Sequence, residues 1–413
     1  MIDNDIQKWI KWEENRQTST LEMIASENII SPDVMACLST PFANKYSEWL
    51  PWKRYYSWQE FVDYVENAAI DAAKKIFGFE AVNVQPHSWS PANLAIQLAL
   101  LSPGDTILSL SLDQWWHLSH GHRMNYSGKL YNIVSYTLSQ DSHRIDMDRV
   151  ENLAREHKPK MIIAWFSAYP RDIDWQWFAR IAQGVWAYLL ADISHTAGLI
   201  AGWVLPSPVG YADIVMTTTH KTLRWPRWAI IGCRWELEKK INSAVFPWVQ
   251  GWPHMHSILA KLQAFREALR PEFRLYAEQV RKNAFVLAEA LLKRWFRLIT
   301  GGTDTHLILI DVFSSHGISG DRAQDILETI GISINKNMIP NDTRSALSPS
   351  GIRIGTPALT TRGCTTDDME KIAEYLDIAL QNTENNDILQ SLWEEIRSFS
   401  SSLPIFSPRW LCP

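Results

Sequence analysis

Between about residues 65 and 250 the chain alternates two kinds of apolar pattern. Short apolar runs, Asp105-Thr106-Ile107-Leu108-Ser109, Met161-Ile162-Ile163-Ala164, Val185-Trp186-Ala187-Tyr188-Leu189-Leu190-Ala191 and Asp213-Ile214-Val215-Met216-Thr217, read as buried strands. Helical stretches separate them, and such alternation predicts a mostly parallel sheet wrapped by helices. Ahead of this region, residues 3 to 17 are charged, with Ile6, Ile10, Trp9 and Trp12 at helical spacing, which predicts an arm helix. Behind it, a helical region from about 256 to 296 leads to a smaller unit. There Leu307-Ile308-Leu309-Ile310 and Gly351-Ile352-Arg353-Ile354 read as strands. Met369, Ile372, Ala373, Leu376 and Leu380 mark one face of a helix opened by Thr365, Thr366, Asp367 and Asp368. The expected organisation is an arm helix at 1–20, a large α/β domain at 21–280 and a smaller α+β domain at 281–413.

With 413 residues, 46% of them hydrophobic, the chain has ample material for a buried core, and disorder is set aside. The net charge of −5 and the absence of a basic block exclude nucleic acid and polybasic membrane contacts, leaving a small molecule as the expected partner. Cys37, Cys233, Cys364 and Cys412 form no Cys-x-x-Cys pair, so they read as thiols in a reducing compartment, with no metal site. The start, Met1-Ile2-Asp3-Asn4-Asp5, is polar and acidic, and no apolar run reaches the roughly 18 residues of a membrane helix. The expected location is the cytoplasm.

Candidate chemistry concentrates in Thr217-Thr218-Thr219-His220-Lys221-Thr222 and, upstream, Asp192-Ile193-Ser194-His195. A lysine forms a Schiff base with an aldehyde. An aspartate at a strand's carboxyl end can keep a pyridine nitrogen protonated, which makes the ring an electron sink. Those are the parts that pyridoxal phosphate needs. Ser90 and Pro91 in Pro86-His87-Ser88-Trp89-Ser90-Pro91-Ala92-Asn93 suit the start of a helix whose free amides and hydroxyls could hold a phosphate, with Ser90 as the cap.

Long motifs spread through the chain then resemble one family, serine hydroxymethyltransferase, from about residue 19 to 385. They are Leu21-Glu22-Met23-Ile24-Ala25-Ser26-Glu27-Asn28, Asn44-Lys45-Tyr46-Ser47-Glu48, Lys53-Arg54-Tyr55-Tyr56, Gly128-Lys129-Leu130-Tyr131, Phe166-Ser167-Ala168-Tyr169, the Lys221 run and Ser350-Gly351-Ile352-Arg353-Ile354-Gly355-Thr356-Pro357. The resemblance implies the α/β fold of a fold-type I pyridoxal-phosphate transferase, with a mostly parallel seven-stranded sheet and a smaller α+β carboxy-terminal domain. It implies pyridoxal phosphate as cofactor, tetrahydrofolate as co-substrate, and L-serine and glycine as substrate and product. Lys221 would carry the cofactor, with His220 beside it. Asp192 would pair with the pyridine nitrogen, His117 would stack on the ring, and Ser167 and His195 would bond around the ring oxygen. Ser88, Trp89 and Ser90 would form the phosphate site, with Gly251 and Trp252 contributing. Arg353, with Ser26, would take the amino-acid carboxylate, and Glu48, with Tyr46 and Tyr56 nearby, would handle the proton of the serine hydroxyl. Leu112, Trp116, Leu118, Asn337, Ser345, Ala346 and Leu347 fall where the family contacts folate. The family is at least dimeric with shared active sites, so Tyr46, Glu48, Tyr56 and the Gln250-Gly251 loop would cross to a neighbour.

One departure is systematic. Tryptophan stands at family glycine positions at Trp49, Trp52, Trp58, Trp89, Trp115, Trp116, Trp165, Trp186, Trp203, Trp225, Trp228, Trp248, Trp252 and Trp295. Trp89 is expected wedged beside the phosphate site, and Trp225 or Trp228 near Lys221, on an otherwise family-like backbone. Overpacking costs about 1–3 kcal/mol per site, and whole domains are stable by only about 5–15 kcal/mol. Decay of a gene would scatter changes over many residue types. UGA lies one base from the tryptophan codon UGG and one from the glycine codon GGA, and some bacterial lineages read it as glycine. Restoring glycine takes that residue from 18 to 32 and tryptophan from 21 to 7, which brings glycine near its usual share of roughly 7%. Two rivals stay open: a folate-independent threonine or β-hydroxy-amino-acid aldolase on the same scaffold, and a catalytically dead homologue.

Overall fold

The computed structural model describes residues 2–111, 124–165 and 167–410. The chain divides into two compact units, one of Ile30–Ser167 with Asp172–Ala277, the other of Met1–Ile29, Ala168–Arg171 and Glu278–Pro413. The first strand, β1 (Leu21–Glu22), lies in the second of these. The next seven, β2 (Ala81–Asn83), β3 (Thr106–Leu110), β4 (Asn132–Tyr136), β5 (Met161–Trp165), β6 (Tyr188–Asp192), β7 (Ile214–Thr218) and β8 (Ala229–Cys233), build the larger unit's sheet in the order β2-β8-β7-β6-β5-β3-β4. Strands β3 to β7 are parallel to their neighbours in the sheet, while β8 runs antiparallel to β7 and β2 antiparallel to β8. Strands β5, β7 and β8 are buried along their whole length, as helices covering both faces require, so they read as unbroken apolar runs.

Three boundaries differ from the pattern reading, each for a local reason. The run 185–191 is strand only from Tyr188, because Val185 and Trp186 terminate the helix Trp175–Gly184. The helical region near 256–296 is two helices, Met255–Ala268 and Pro271–Lys293, since a proline lacks the N–H that a continuing helix needs and crowds the preceding turn. The helix Trp89–Leu100 begins after Ser88 rather than after Ser90, and no side chain caps it. Pro91 is accommodated at the third helical position because none of the first four helical N–H groups has a partner within the helix.

The smaller unit has an antiparallel sheet. Its strands are β9 (Arg297–Leu298), β10 (Leu307–Asp311), β11 (Ile332–Ser333), β12 (Asn335–Asn337) and β13 (Gly351–Gly355), with β12-β13-β10-β9 forming the sheet and β11 pairing with β1. Leu21, Ile308, Ile310, Ile352, Ile354, Met369, Ile372 and Leu376 share its core. The helix Thr366–Gln381 is opened by a capping box between Thr365 and Asp368. The first helix, Asn4–Ser19, has no buried residue, and the buried Arg362 ties its end to the helix Asn386–Ser402 through Thr18 O (3.0 Å), Thr20 O (2.9 Å) and Ser400 Oγ (2.8 Å). Cys37, Cys233 and Cys364 are free thiols. Among the described residues no helix is long and apolar enough to cross a membrane.

Candidate active site

In the larger unit the parallel strands end together, and ligands of open α/β sheets bind outside such carboxyl ends. Asp192 is the last residue of β6, in register with Trp165 of β5, and Ser167 lies just beyond β5. Thr218 ends β7, and Lys221 stands in the loop that returns to β8. A chain of polar contacts joins lysine to aspartate. Lys221 Nζ donates to Thr218 Oγ1 (2.7 Å), Thr218 N to Ser194 Oγ (3.0 Å), and Ser194 N to Asp192 Oδ1 (3.0 Å). The lysine loop is also fixed from behind. Thr222 Oγ1 donates to His195 O (2.8 Å) and accepts from Gly198 N (2.8 Å). A Cβ at Gly198 would lie 2.3 Å from Thr222 O, so the close approach depends on glycine. His220 is neutral here. Burial, aided by the charges of Lys221 and Arg227, lowers its pKa to about 3, and its Nδ1 has no hydrogen-bond partner among the described residues.

The donor set suits pyridoxal phosphate, but the space does not. The Trp89 indole N–H donates to Asp192 Oδ2 at 2.6 Å, and its ring lies 5.8 Å from that of Trp165. A pyridine nitrogen pairing with Asp192 would need the place that this indole holds. The indole's contact is with Asp192, and the sequence expected Trp89 beside the phosphate site formed with Ser88 and Ser90. Ser88 and Ser90, at the helix start, are exposed, and the Ser88 side chain makes no capping bond. Trp225 packs on Phe265 with ring centroids 4.2 Å apart, and the Trp228 ring faces His254 and His256 at 6.0 and 6.3 Å, while its backbone N donates to Thr219 Oγ1 (3.1 Å).

A second group gathers around Tyr46. Its ring lies 5.4 Å from Tyr56, edge to face, and 4.6 Å from Trp252. Desolvation, followed by the Glu48 carboxylate, raises the Tyr46 phenol above its ordinary range. The backbone around Glu48 is held by buried side chains. Gln59 Nε2 donates to Tyr46 O (2.9 Å), Arg54 Nη1 to Ser47 O (3.1 Å) and Gln85 Nε2 to Trp49 O (2.9 Å). Arg54 is itself locked by Asp63 (2.9 Å) and Glu66 (2.6 Å), with all three side chains almost fully buried. Next to Gly251, Trp252 O contacts His87 Nε2 at 2.5 Å, and the His87 and His254 rings stack at 4.2 Å. Burial, and the neighbouring His254, lower the His87 pKa to about 4.

In the smaller unit Arg353 projects from β13, with Nε donating to Asn335 Oδ1 (3.0 Å) and Nη2 reaching Ser26 Oγ (3.5 Å). Burial pulls its guanidinium down to about 10. Asn337 lies on β12, and Ser345, Ala346 and Leu347 occupy an exposed loop, where Leu347 O accepts from Lys336 Nζ (2.7 Å). Leu112, Trp116, His117 and Leu118 lie outside the described residues. Thr218, Ser194 and Arg54 were missed as contributors, though all three stand inside or beside the motifs.

The serine hydroxymethyltransferase family model matches residues 1–376. A serine hydroxymethyltransferase of Acidobacterium capsulatum is 49% identical over 409 residues, which is 99% of this chain and 95% of that protein. One of Alkalilimnicola ehrlichii is 47% identical over 407 residues, 98% of this chain and 97% of its own. Matches of that length and identity leave no substantial part of the chain outside the likeness, and the chain belongs to the serine hydroxymethyltransferase family.

Proposed function

We propose that the working protein moves the hydroxymethyl carbon of L-serine reversibly onto tetrahydrofolate, giving glycine and 5,10-methylenetetrahydrofolate. The family depends on pyridoxal phosphate, which supplies an electron sink, and uses tetrahydrofolate as co-substrate. The observation that carries the reading is the contact chain from Lys221 through Thr218 and Ser194 to Asp192, which sets an amine and a carboxylate at the ends of adjacent parallel strands. Lys221 and Asp192 would hold the cofactor at its two ends, Ser88 and Ser90 its phosphate, and Ser167 and His195 its ring oxygen. Arg353 would clamp the amino-acid carboxylate and Glu48 manage the hydroxyl proton. With Trp89 on Asp192 the cofactor does not fit, so no step is assigned through it in the chain as written.

The working form would be a cytoplasmic homodimer. Tyr46, Tyr55 and Tyr56 are 41%, 66% and 50% exposed in the single chain, which supports an aromatic surface that a second subunit covers. The experiment is turnover of labelled serine by protein carrying glycine at position 89 and the other thirteen sites. Folate-dependent formation of glycine is expected. Cleavage of β-hydroxy amino acids with no dependence on folate would favour the aldolase and sink this reading.

A further inference from the structure

Six of the fourteen tryptophans have a backbone that favours glycine. Among the described residues eleven that are not glycine have positive φ, and six of them are Trp49 (75°), Trp52 (62°), Trp58 (59°), Trp186 (61°), Trp203 (61°) and Trp295 (66°). Tryptophan supplies only 21 of the 413 residues. Within the described chain no tryptophan outside the fourteen has a positive φ. Side chains with a Cβ are disfavoured there, and a bulky residue most of all.

Three of the six occupy one particular motif. A helix that ends on a left-handed residue closes with two bonds, from that residue to the carbonyl three back and from the next residue to the carbonyl five back. Trp186 N bonds Gln183 O (3.3 Å) and Ala187 N bonds Ala182 O (2.9 Å). Trp203 N bonds Ile200 O (3.0 Å), with Val204 N on Leu199 O (2.8 Å). Trp295 N bonds Leu292 O (3.1 Å), with Phe296 N on Leu291 O (3.1 Å). The same pair of bonds occurs around Gly363, from Gly363 N to Thr360 O (2.9 Å) and Cys364 N to Leu359 O (3.1 Å). There the left-handed residue is glycine, with φ 106°. The three tryptophans project into solvent, 92%, 78% and 89% exposed, so no packing holds them in that conformation.

Trp225 and Trp228 differ from the buried tryptophans Trp175 and Trp410 outside the set. Trp175 donates to Pro206 O (3.3 Å) and Trp410 to Thr360 O (2.8 Å), as an enclosed indole ordinarily does. The Nε1 atoms of Trp225 and Trp228 are buried with no hydrogen-bond partner among the described residues, and that of Trp89 takes the carboxylate Asp192.

We infer that the fourteen positions are glycine in the working protein, because the codon there is UGA and its organism reads UGA as glycine. At position 89 the argument rests on the proposed role of Asp192; at the six left-handed positions it rests on backbone alone. Glycine at 89 frees Asp192 and removes the indole from the site, while Trp9, Trp12, Trp175, Trp177, Trp235, Trp393 and Trp410 remain tryptophan.

The test is peptide mass spectrometry of protein purified from the source organism, with the gene's codons read beside it. Glycine is expected at 89, 186, 203 and 295, and tryptophan at 175 and 410 in the same digest. Tryptophan at 89 or at any of the three helix ends, or UGG as their codon, overturns the inference whether or not the protein is active. A separate readout addresses the site. Chain made with glycine at the fourteen positions should gain a visible imine absorbance with pyridoxal phosphate, reducible onto the Lys221 peptide, while chain made with tryptophan should not. Glycine in the native peptide without that absorbance would overturn the proposed function and leave the inference standing.

Discussion

The roles proposed for Arg353, holding the substrate carboxylate, and Glu48, handling the hydroxyl proton, predict separable defects on their loss in the glycine-bearing enzyme. Arg353→Ala removes a planar two-pronged partner for a carboxylate, a loss of about 2–5 kcal/mol. It should appear as a higher KM for serine and weaker glycine binding in a titration. Glu48→Gln keeps shape and hydrogen bonding but no longer takes a proton, so serine binding should persist while kcat falls. Parental turnover in Glu48→Gln would remove its proposed role. That Lys221 and Asp192 belong to one site was read from the sequence on their motifs, and a contact chain joins them. Thr218 and Ser194, which connect them, were not legible in the sequence, since serine and threonine are common and only the pairing of β6 with β7 brings these two together. Trp89 was legible as an unusual residue between Ser88 and Ser90, while its bond to Asp192 was not, because the reach of an indole is a direction that backbone motifs do not encode.

The helix ends give a stability test that needs no activity. Relief of a left-handed side chain is worth roughly 1–2 kcal/mol, so Trp186→Gly, Trp203→Gly and Trp295→Gly should each raise the urea midpoint. Trp410→Gly, which empties a buried and bonded site, should lower stability by about 3–5 kcal/mol. If all four lowered it alike, the backbone argument would fail. Arg54 offers a second test. Its guanidinium, buried between Asp63 and Glu66, also holds the Ser47 carbonyl beside Glu48. Arg54→Ala leaves two buried carboxylates unpaired, a loss of about 3–5 kcal/mol. Arg54→Lys should recover only part of it, because an ammonium cannot span the same fork of acceptors. The alternation of apolar runs with helical stretches made the sheet legible, as β5, β7 and β8 are buried on both faces. Element ends were less so. Ser88 rather than Ser90 precedes the first helix turn, without a capping bond, and the helical region near 256–296 breaks at Pro271, because a proline suits any place in a first turn and so marks a start only loosely.

Two histidines make a contribution to stability that falls in mild acid, for a reason the fold supplies. His87 and His220 are kept neutral by burial, with pKa values lowered to about 4 and about 3 from the ordinary 6.5. Once unfolded, both protonate near 6.5, so below that pH the unfolded chain binds more protons than the folded one, and stability drops as pH falls. For His87 this contribution is complete above 6.5 and lost progressively down to about 4; for His220 the loss continues to about 3. Glu13, held down to about 2 by the Arg16 guanidinium, adds its own loss only below its ordinary 4.5, so the histidine part is read between 6.5 and 4.5. His87→Asn should flatten the dependence of the denaturation midpoint on pH in that window while leaving the alkaline side unchanged. An unaltered slope would mean that His87 takes up its proton in the folded chain, at odds with its burial and with the neighbouring His254 ring, which outweigh the Trp252 carbonyl.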